Sequence, residues 1–178
     1  MRAGHEEPHD PHVHDNPASV TQYLSDGGDV NRTNEDGATL LFLACRSGAA
    51  ECVRLLLDAN ATVDQPRDSG EFPLYVAAEE GHLECVRLLL GANAVLSQAG
   101  VGTPLHIACH KGHAECVKPL LEEKAAVDHI DKNRHTALMI ACVKGSVGCV
   151  RFLLAAKAAV DQQDESGFTP LSITSING

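Results

Sequence analysis

Apolar residues recur along this chain in blocks that repeat their own wording. The tract ECVRLLL occupies 51–57 and again 84–90, returns as ECVKPLL at 115–121, and reappears as GCVRFLL at 148–154. Within each block the Cys-Val pair and the following Leu pair share one helical face, the spacing of an amphipathic helix. Cys52, Cys85, Cys116 and Cys149 stand 33, 31 and 33 residues apart. The blocks are therefore copies of one unit, and such self-similarity decides the architecture before any single element does. Upstream of each block lies a second apolar stretch. It carries Leu41, Leu74, Leu105 or Leu138, then a small pair: Ala44-Cys45, Ala77-Ala78, Ala108-Cys109 or Ala141-Cys142. Small residues there let neighbouring helices approach closely. Gly48, Gly81, Gly112 and Gly145 follow as helix stops. Polar turn residues precede Thr39, Phe72, Thr103 and Thr136. Each unit thus predicts a turn, a short helix and a second helix, with Val63, Leu96, Val127 and Val160 anchoring the exit.

Taken in order, residues 1–15 show no helical or strand periodicity and read as a disordered, His-rich tail. Residues 16–33 read as a half-repeat cap. Asn16 is a good N-cap, Pro17 suits the first helical position, and Gly27-Gly28 ends the helix. Four full units fill 34–163. A truncated fifth unit fills 164–178, because SITSING after Leu171 lacks both the small pair and the second helix. An array without a terminal cap is expected to be part of a longer protein, since end repeats normally carry a polar outer face.

The stretch GTPLHIACHKGHAECVKPLL at 102–121 resembles the ankyrin-repeat family, whose mark is a T-P-L-H motif in a period of about 33 residues. The resemblance covers 17–178. It implies an all-α repeat solenoid in which each unit is a β-turn and two antiparallel helices. It also implies a row of projecting turns, or fingers, that form a concave binding face with the first helices. Family function is protein–protein interaction without catalysis, so the expected role is a non-enzymatic adaptor. The resemblance also suggests that His106, in TPLH, bonds between turns. A second reading makes the chain a truncated form of a larger protein, such as the substrate-recognition part of a ubiquitin-ligase adaptor. The ECV-LL wording looks like that of some ankyrin and SOCS-box proteins. A third reading is an unstable by-product with no role of its own.

Departures from the pattern carry expectations too. Phe72 stands where the family has a Thr that bonds in the turn region, and the third turn, 97–102, is two residues short, predicting a blunt finger. Pro119 inside a second helix removes an N–H bond to the carbonyl of Glu115 and predicts a local kink. The position after each second helix, usually Gly, holds Gly27, Asn60, Asn93, Lys124 and Lys157. Asn tolerates a left-handed backbone, whereas Lys there costs roughly 1–2 kcal/mol. The second half of the array is expected to be the weaker half.

Composition narrows the function. Net charge is −10, from 24 acidic and 14 basic residues, which disfavours nucleic acid or an anionic membrane as a partner. No apolar run has the length of a membrane span and the N-terminus lacks a secretory apolar core, so a cytoplasmic or nuclear monomer is expected. Seven cysteines without a CxxC fall in two repeat columns and read as small packed hydrophobes in a reducing setting. Scarce aromatics, four Phe and two Tyr with no Trp, also suit stacked small helices. His82 and His113 recur with the repeat and read as local turn bonding. No catalytic constellation is visible and no cofactor or metal is expected. The weakest of the candidate chemistries is a metal site in the tail from His5, His9, His12, His14, Asp10 and Asp15.

Positions that vary while the scaffold repeats are the candidates for partner binding. After the small pairs these are Arg46 and Ser47, Glu79 and Glu80, His110 and Lys111, and Val143 and Lys144. On the fingers they are Arg67, Lys132 and Arg134, the fourth finger being the most basic. An acidic step followed by a basic one is expected along the concave face.

Overall fold

A computed structural model describes residues 13–98 and 102–177. Ten α-helices follow a single 3-10 turn, Val13–Asp15, among the described residues. They are α1 (Pro17–Ser25), α2 (Leu40–Ser47), α3 (Ala50–Asp58), α4 (Pro73–Glu80), α5 (Leu83–Gly91), α6 (Pro104–Lys111), α7 (Ala114–Glu122), α8 (Ala137–Val143), α9 (Val147–Ala155) and α10 (Pro170–Asn177). The even helices pack on one another in the order α2, α4, α6, α8, α10, and the odd helices stack as a second layer, α1 to α9. Each even helix of the series α2–α8 also packs on the odd helix that follows it. The result is an all-α solenoid of two layers. No described helix exceeds nine residues, too short to be stable alone. Tertiary contact holds them.

The core explains why the columns repeat. Leu41, Leu74, Leu105 and Leu138 are buried between the layers, as are Cys52, Cys85, Cys116 and Cys149 with Val53, Val86 and Val117. Ala44, Ala77, Ala108 and Ala141 are fully buried where even helices meet, and a larger side chain would push those helices apart. All seven thiols are free and only Cys142 is not buried. Burial pushes the thiols of Cys85 and Cys116 up to about 11, so they act as apolar packing rather than as nucleophiles.

Helix starts and stops follow local chemistry. Asn16 Oδ1 accepts N–H bonds from Ala18 and Ser19 at 3.0 and 3.4 Å. Thr39, Thr103 and Thr136 accept from Phe42, His106 and Met139 through their hydroxyls. Phe72 has no such side-chain bond; it is fully buried, and Pro73 at the first position starts α4 instead. Even helices close through left-handed Gly48, Gly81 and Gly112. At the odd-helix ends Asn60, Asn93, Lys124 and Lys157 all adopt positive φ, between 60° and 65°. The strain expected at the two Lys positions is present.

Four expectations are modified. Residues 1–15 have no periodicity, yet Val13–Asp15 forms a turn against α1 and α2, where an inner helix of a preceding unit would lie; residues 1–12 lie outside the described residues. Helix α7 runs unbroken through Pro119 over the same nine residues as its counterparts. The proline ring is buried in the core, and neighbouring repeats on both sides hold the helix in place. Val160 is 58 % exposed, whereas Val63, Leu96 and Val127 pack on the core. No odd helix follows α9 among the described residues, so nothing covers Val160. His82 does not bond within its own turn: its Nε2–H donates to the Arg46 carbonyl of the preceding unit at 3.2 Å. His113 makes the equivalent approach to Gly81, where an added Cβ would come within 2.6 Å of its Nδ1.

Candidate partner-binding face

The fingers are built by carboxamide and carboxylate side chains that fold back on their own turns. Asn34 Oδ1 accepts N–H bonds from Asp36 and Ala38, and Asp164 Oδ1 accepts them from Ser166 and Phe168. Asp131 Oδ1 does the same for Asn133 and His135, both at 2.8 Å. Such turns are intrinsic to Asn and Asp. Arg67 holds this place in the second finger and has no acceptor to offer. Its guanidinium forks onto Glu71, with Nε 3.0 Å from Oε2 and Nη2 3.1 Å from Oε1, and lies 5.5 Å from the Phe42 ring centroid. The Arg67 hydrogen bond holds the Glu71 carboxyl down at about 2. Of the candidate residues, Arg67 is thus committed to its own finger.

Adjacent fingers are joined as well. The Asp68 N–H donates to the Asp36 carbonyl at 3.0 Å. His106 is buried, takes a hydrogen bond from the Thr103 hydroxyl on Nδ1 at 2.7 Å, and donates from Nε2 to the His135 carbonyl at 3.2 Å. The bond between turns implied for the TPLH histidine is present. His135 in turn lies between Asp131, 3.6 Å away, and Asp164 of the next finger, 3.9 Å away.

Along the even-helix ends Arg46, Ser47, Glu80, His110, Lys111, Val143 and Lys144 are exposed and Glu79 is half-buried. The Ser47 hydroxyl donates to the Ala44 carbonyl of its own helix. Lys111 Nζ sits 3.3 Å from Glu79 Oε1. The acidic and basic steps therefore cancel one another where they meet. Beyond that pair, burial and the positive charges of Lys144 and Lys111 push the His110 imidazole below its ordinary value. Lys132 and Arg134 stand exposed on the fourth finger. Arg134 has φ 61°, at the place where the first, second and last fingers have Gly37, Gly70 and Gly167.

A concave groove of about 460 Å³ opens beside the fourth finger, between it and Gly102 of the third. Tyr75, Ile107 and Ile140 line it from the even helices, and His129, Ile130 and Lys132 line it from the fourth finger. Gly102 also lines it; residues 99–101 of the shortened finger, expected to be blunt, lie outside the described residues. Of the candidates, His110 and Lys132 line this groove together. Arg46 and Ser47 belong to α2 and do not. Tyr75, Ile107 and Ile140 were not singled out by sequence, because their apolar character reads as core. Their positions, one or two residues before the small pairs, were the available clue.

Among the described residues no group of three His, Cys, Asp or Glu side chains is placed to hold a metal ion. His5, His9, Asp10 and His12 of the suggested tail site lie outside the described residues. No described helix is long and apolar enough to cross a membrane.

Comparison with known proteins agrees with this geometry. A family model described as ankyrin repeats (3 copies) matches residues 12–99 and 95–164. The crystal structure of the human ASB11 ankyrin repeat domain is similar, with a TM-score of 0.83 and 30 % identity, over 89 % of this chain and 72 % of that one. Cortactin-binding protein 2 from Ornithorhynchus anatinus is 51 % identical over 39 residues, 22 % of this chain but only 2 % of its own length. With the family model matched over most of its length, the chain belongs to the ankyrin-repeat family, a protein–protein interaction module by fold.

Proposed function

We propose that this chain is a non-catalytic adaptor that holds a partner protein against the concave face made by its even helices and fingers. The groove beside the fourth finger carries the reading. It combines apolar and polar lining residues in a size range typical of recognition clefts, on elements fixed by inter-repeat bonds. The candidate contacts are His110, Lys111 and Lys144 on the helix ends and Lys132 and Arg134 on the fourth finger. Glu79 and Glu80 contribute at the acidic step, and Arg46, Ser47 and Val143 flank the groove along the even-helix row.

The test is capture of protein partners by the intact chain and by an Ile107→Glu variant of unchanged helicity. Loss of the same partners from the variant is expected. An unaltered partner set places binding on another surface. A second reading, recognition of substrate within a larger ubiquitin-ligase adaptor, is favoured by the ECV-LL wording. In that reading the same groove selects the substrate.

A further inference from the structure

The two ends of the stack are complementary halves of one unit. At one end α1 is an odd helix whose even partner is replaced by the turn Val13–Asp15, packed on α1 and α2. At the other end α10 is an even helix packed on α8, and no odd helix follows it among the described residues. The face left there continues the interface between inner units. Val147, Leu154 and Val160 are 63, 47 and 58 % exposed, whereas their counterparts one unit earlier, Ala114, Leu121 and Val127, pack on the core.

The polar register of the junctions continues to both ends as well. Asn31, Asp64 and Asp128 each accept, through Oδ1, a backbone N–H of the following unit, from Thr62, Val95 and Ala159 at 2.7, 2.9 and 2.8 Å. Asp161 is the next member of that column; it is exposed and accepts no such bond among the described residues. Asp29 holds the place of Thr62, Val95 and Ala159 in the α1 unit, and its N–H has no acceptor among the described residues. Its own carboxylate is turned back onto the Asn31 N–H. The fit of the odd helices extends the same way. Gly148 of α9 lies so close to α7 that an added Cβ would come within 2.7 Å of the Ala114 Cβ. Ala18, exposed on α1, holds the place of Gly148, and Val147 holds that of Ala114.

We propose that a second copy of this chain covers the exposed end, head to tail, in place of the monomer expected from sequence. Helix α1 of one copy stacks on α9 of the other as the next odd helix. Helix α10 takes the seat against α2 that Val13–Asp15 holds in the single chain, so that α10 and α1 complete one unit between them. Ala18 then meets Val147, and the Asp161 carboxylate accepts from the Asp29 N–H. Burial of the apolar columns drives the association, and the polar bond fixes its register. The two copies use different surfaces, so the contact does not close at a dimer. The concave face stays open, which makes this contact independent of partner binding there.

The experiment is sedimentation equilibrium of the intact chain over a concentration series. Mean mass is expected to rise with concentration past that of a dimer. Val147→Arg at one end and Ala18→Arg at the other, both exposed positions, are each expected to weaken association about tenfold. An equimolar mixture of the two variants keeps one intact pair of ends and is expected to stop at a one-to-one dimer. Thermal melts identify a variant that has lost its fold, and Val160→Arg then replaces Val147→Arg. A monomer at every concentration up to about 1 mM overturns the proposal. Dimers that do not grow and are indifferent to Ala18→Arg overturn it in favour of a tail-to-tail contact. Association abolished by Ile107→Glu but by neither end variant places self-contact on the concave face and also overturns it.

Discussion

Arg134 is the residue at which local backbone preference and the finger pattern disagree most openly. Its φ of 61° is matched by glycines in three other fingers, and an L-residue there costs roughly 1–2 kcal/mol. The turn nonetheless forms because Asp131 satisfies two N–H groups of the same finger and the His106–His135 bond ties it to the neighbouring repeat. Replacing Arg134 with Gly is expected to stabilise the chain by about 1 kcal/mol, read as a higher urea midpoint with an unchanged slope. Unchanged or lower stability would show that the guanidinium supports the finger through contacts that offset the strain. The pattern of positive φ at Asn60, Asn93, Lys124 and Lys157 was legible from sequence because it recurs at one place in the unit. Arg134 is not, since its side chain reads as a charge and no neighbouring finger repeats an arginine at that backbone position.

At the scale of elements, short helices persist because side chains cap α1, α2, α6 and α8 and because neighbouring helices cover their sides. Pro119 shows the second effect: α7 keeps its nine residues although the proline has no N–H for the Glu115 carbonyl. The equivalent residues of the other odd helices are Leu55, Leu88 and Phe152, and packing between α5 and α9 holds the helical path regardless of the missing bond. Pro119→Leu restores the bond and keeps an apolar side chain at the buried site. It is expected to raise stability by about 2–3 kcal/mol, measured by equilibrium urea unfolding. A gain below about 0.5 kcal/mol would mean that the proline shape itself is fitted to its pocket and offsets the lost bond. The helix expected to be disturbed at this point continues through the proline for the same reason, as propensity yields to tertiary packing when both flanking helices are fixed.

Across the whole molecule, apolar exposure is concentrated toward one end. Val147, Leu154, Val160 and Leu171 are between 47 and 77 % exposed, all in or beyond α9. The corresponding columns of the inner repeats are sheltered by the unit that follows. Stability in such an array is a sum of repeat and interface terms; among the described residues α9 and α10 are packed by helices on one side of the stack only, and the strained Lys124 and Lys157 fall in the same half. Native-state hydrogen exchange is expected to rise from α3–α6 to α9–α10, with the last two helices opening before the rest. Uniform protection along the chain would refute a weaker second half.

Sequence by itself determined the repeat, its period, the helix pairing and the buried columns, because a unit copied in register states its burial pattern several times over. It also exposed the positions that vary, from Arg46 to Lys144. Which of those act together was decided only by the tertiary structure. Arg67 turns inward to Glu71, Lys111 pairs with Glu79 across adjacent repeats, and His82 reaches back one unit to Arg46. The groove lining of Tyr75, Ile107 and Ile140 comes from three different repeats. Periodicity reports what each unit does identically, whereas a site is made by the differences between units. Those differences acquire a common direction only when stacking brings residues about thirty positions apart into contact.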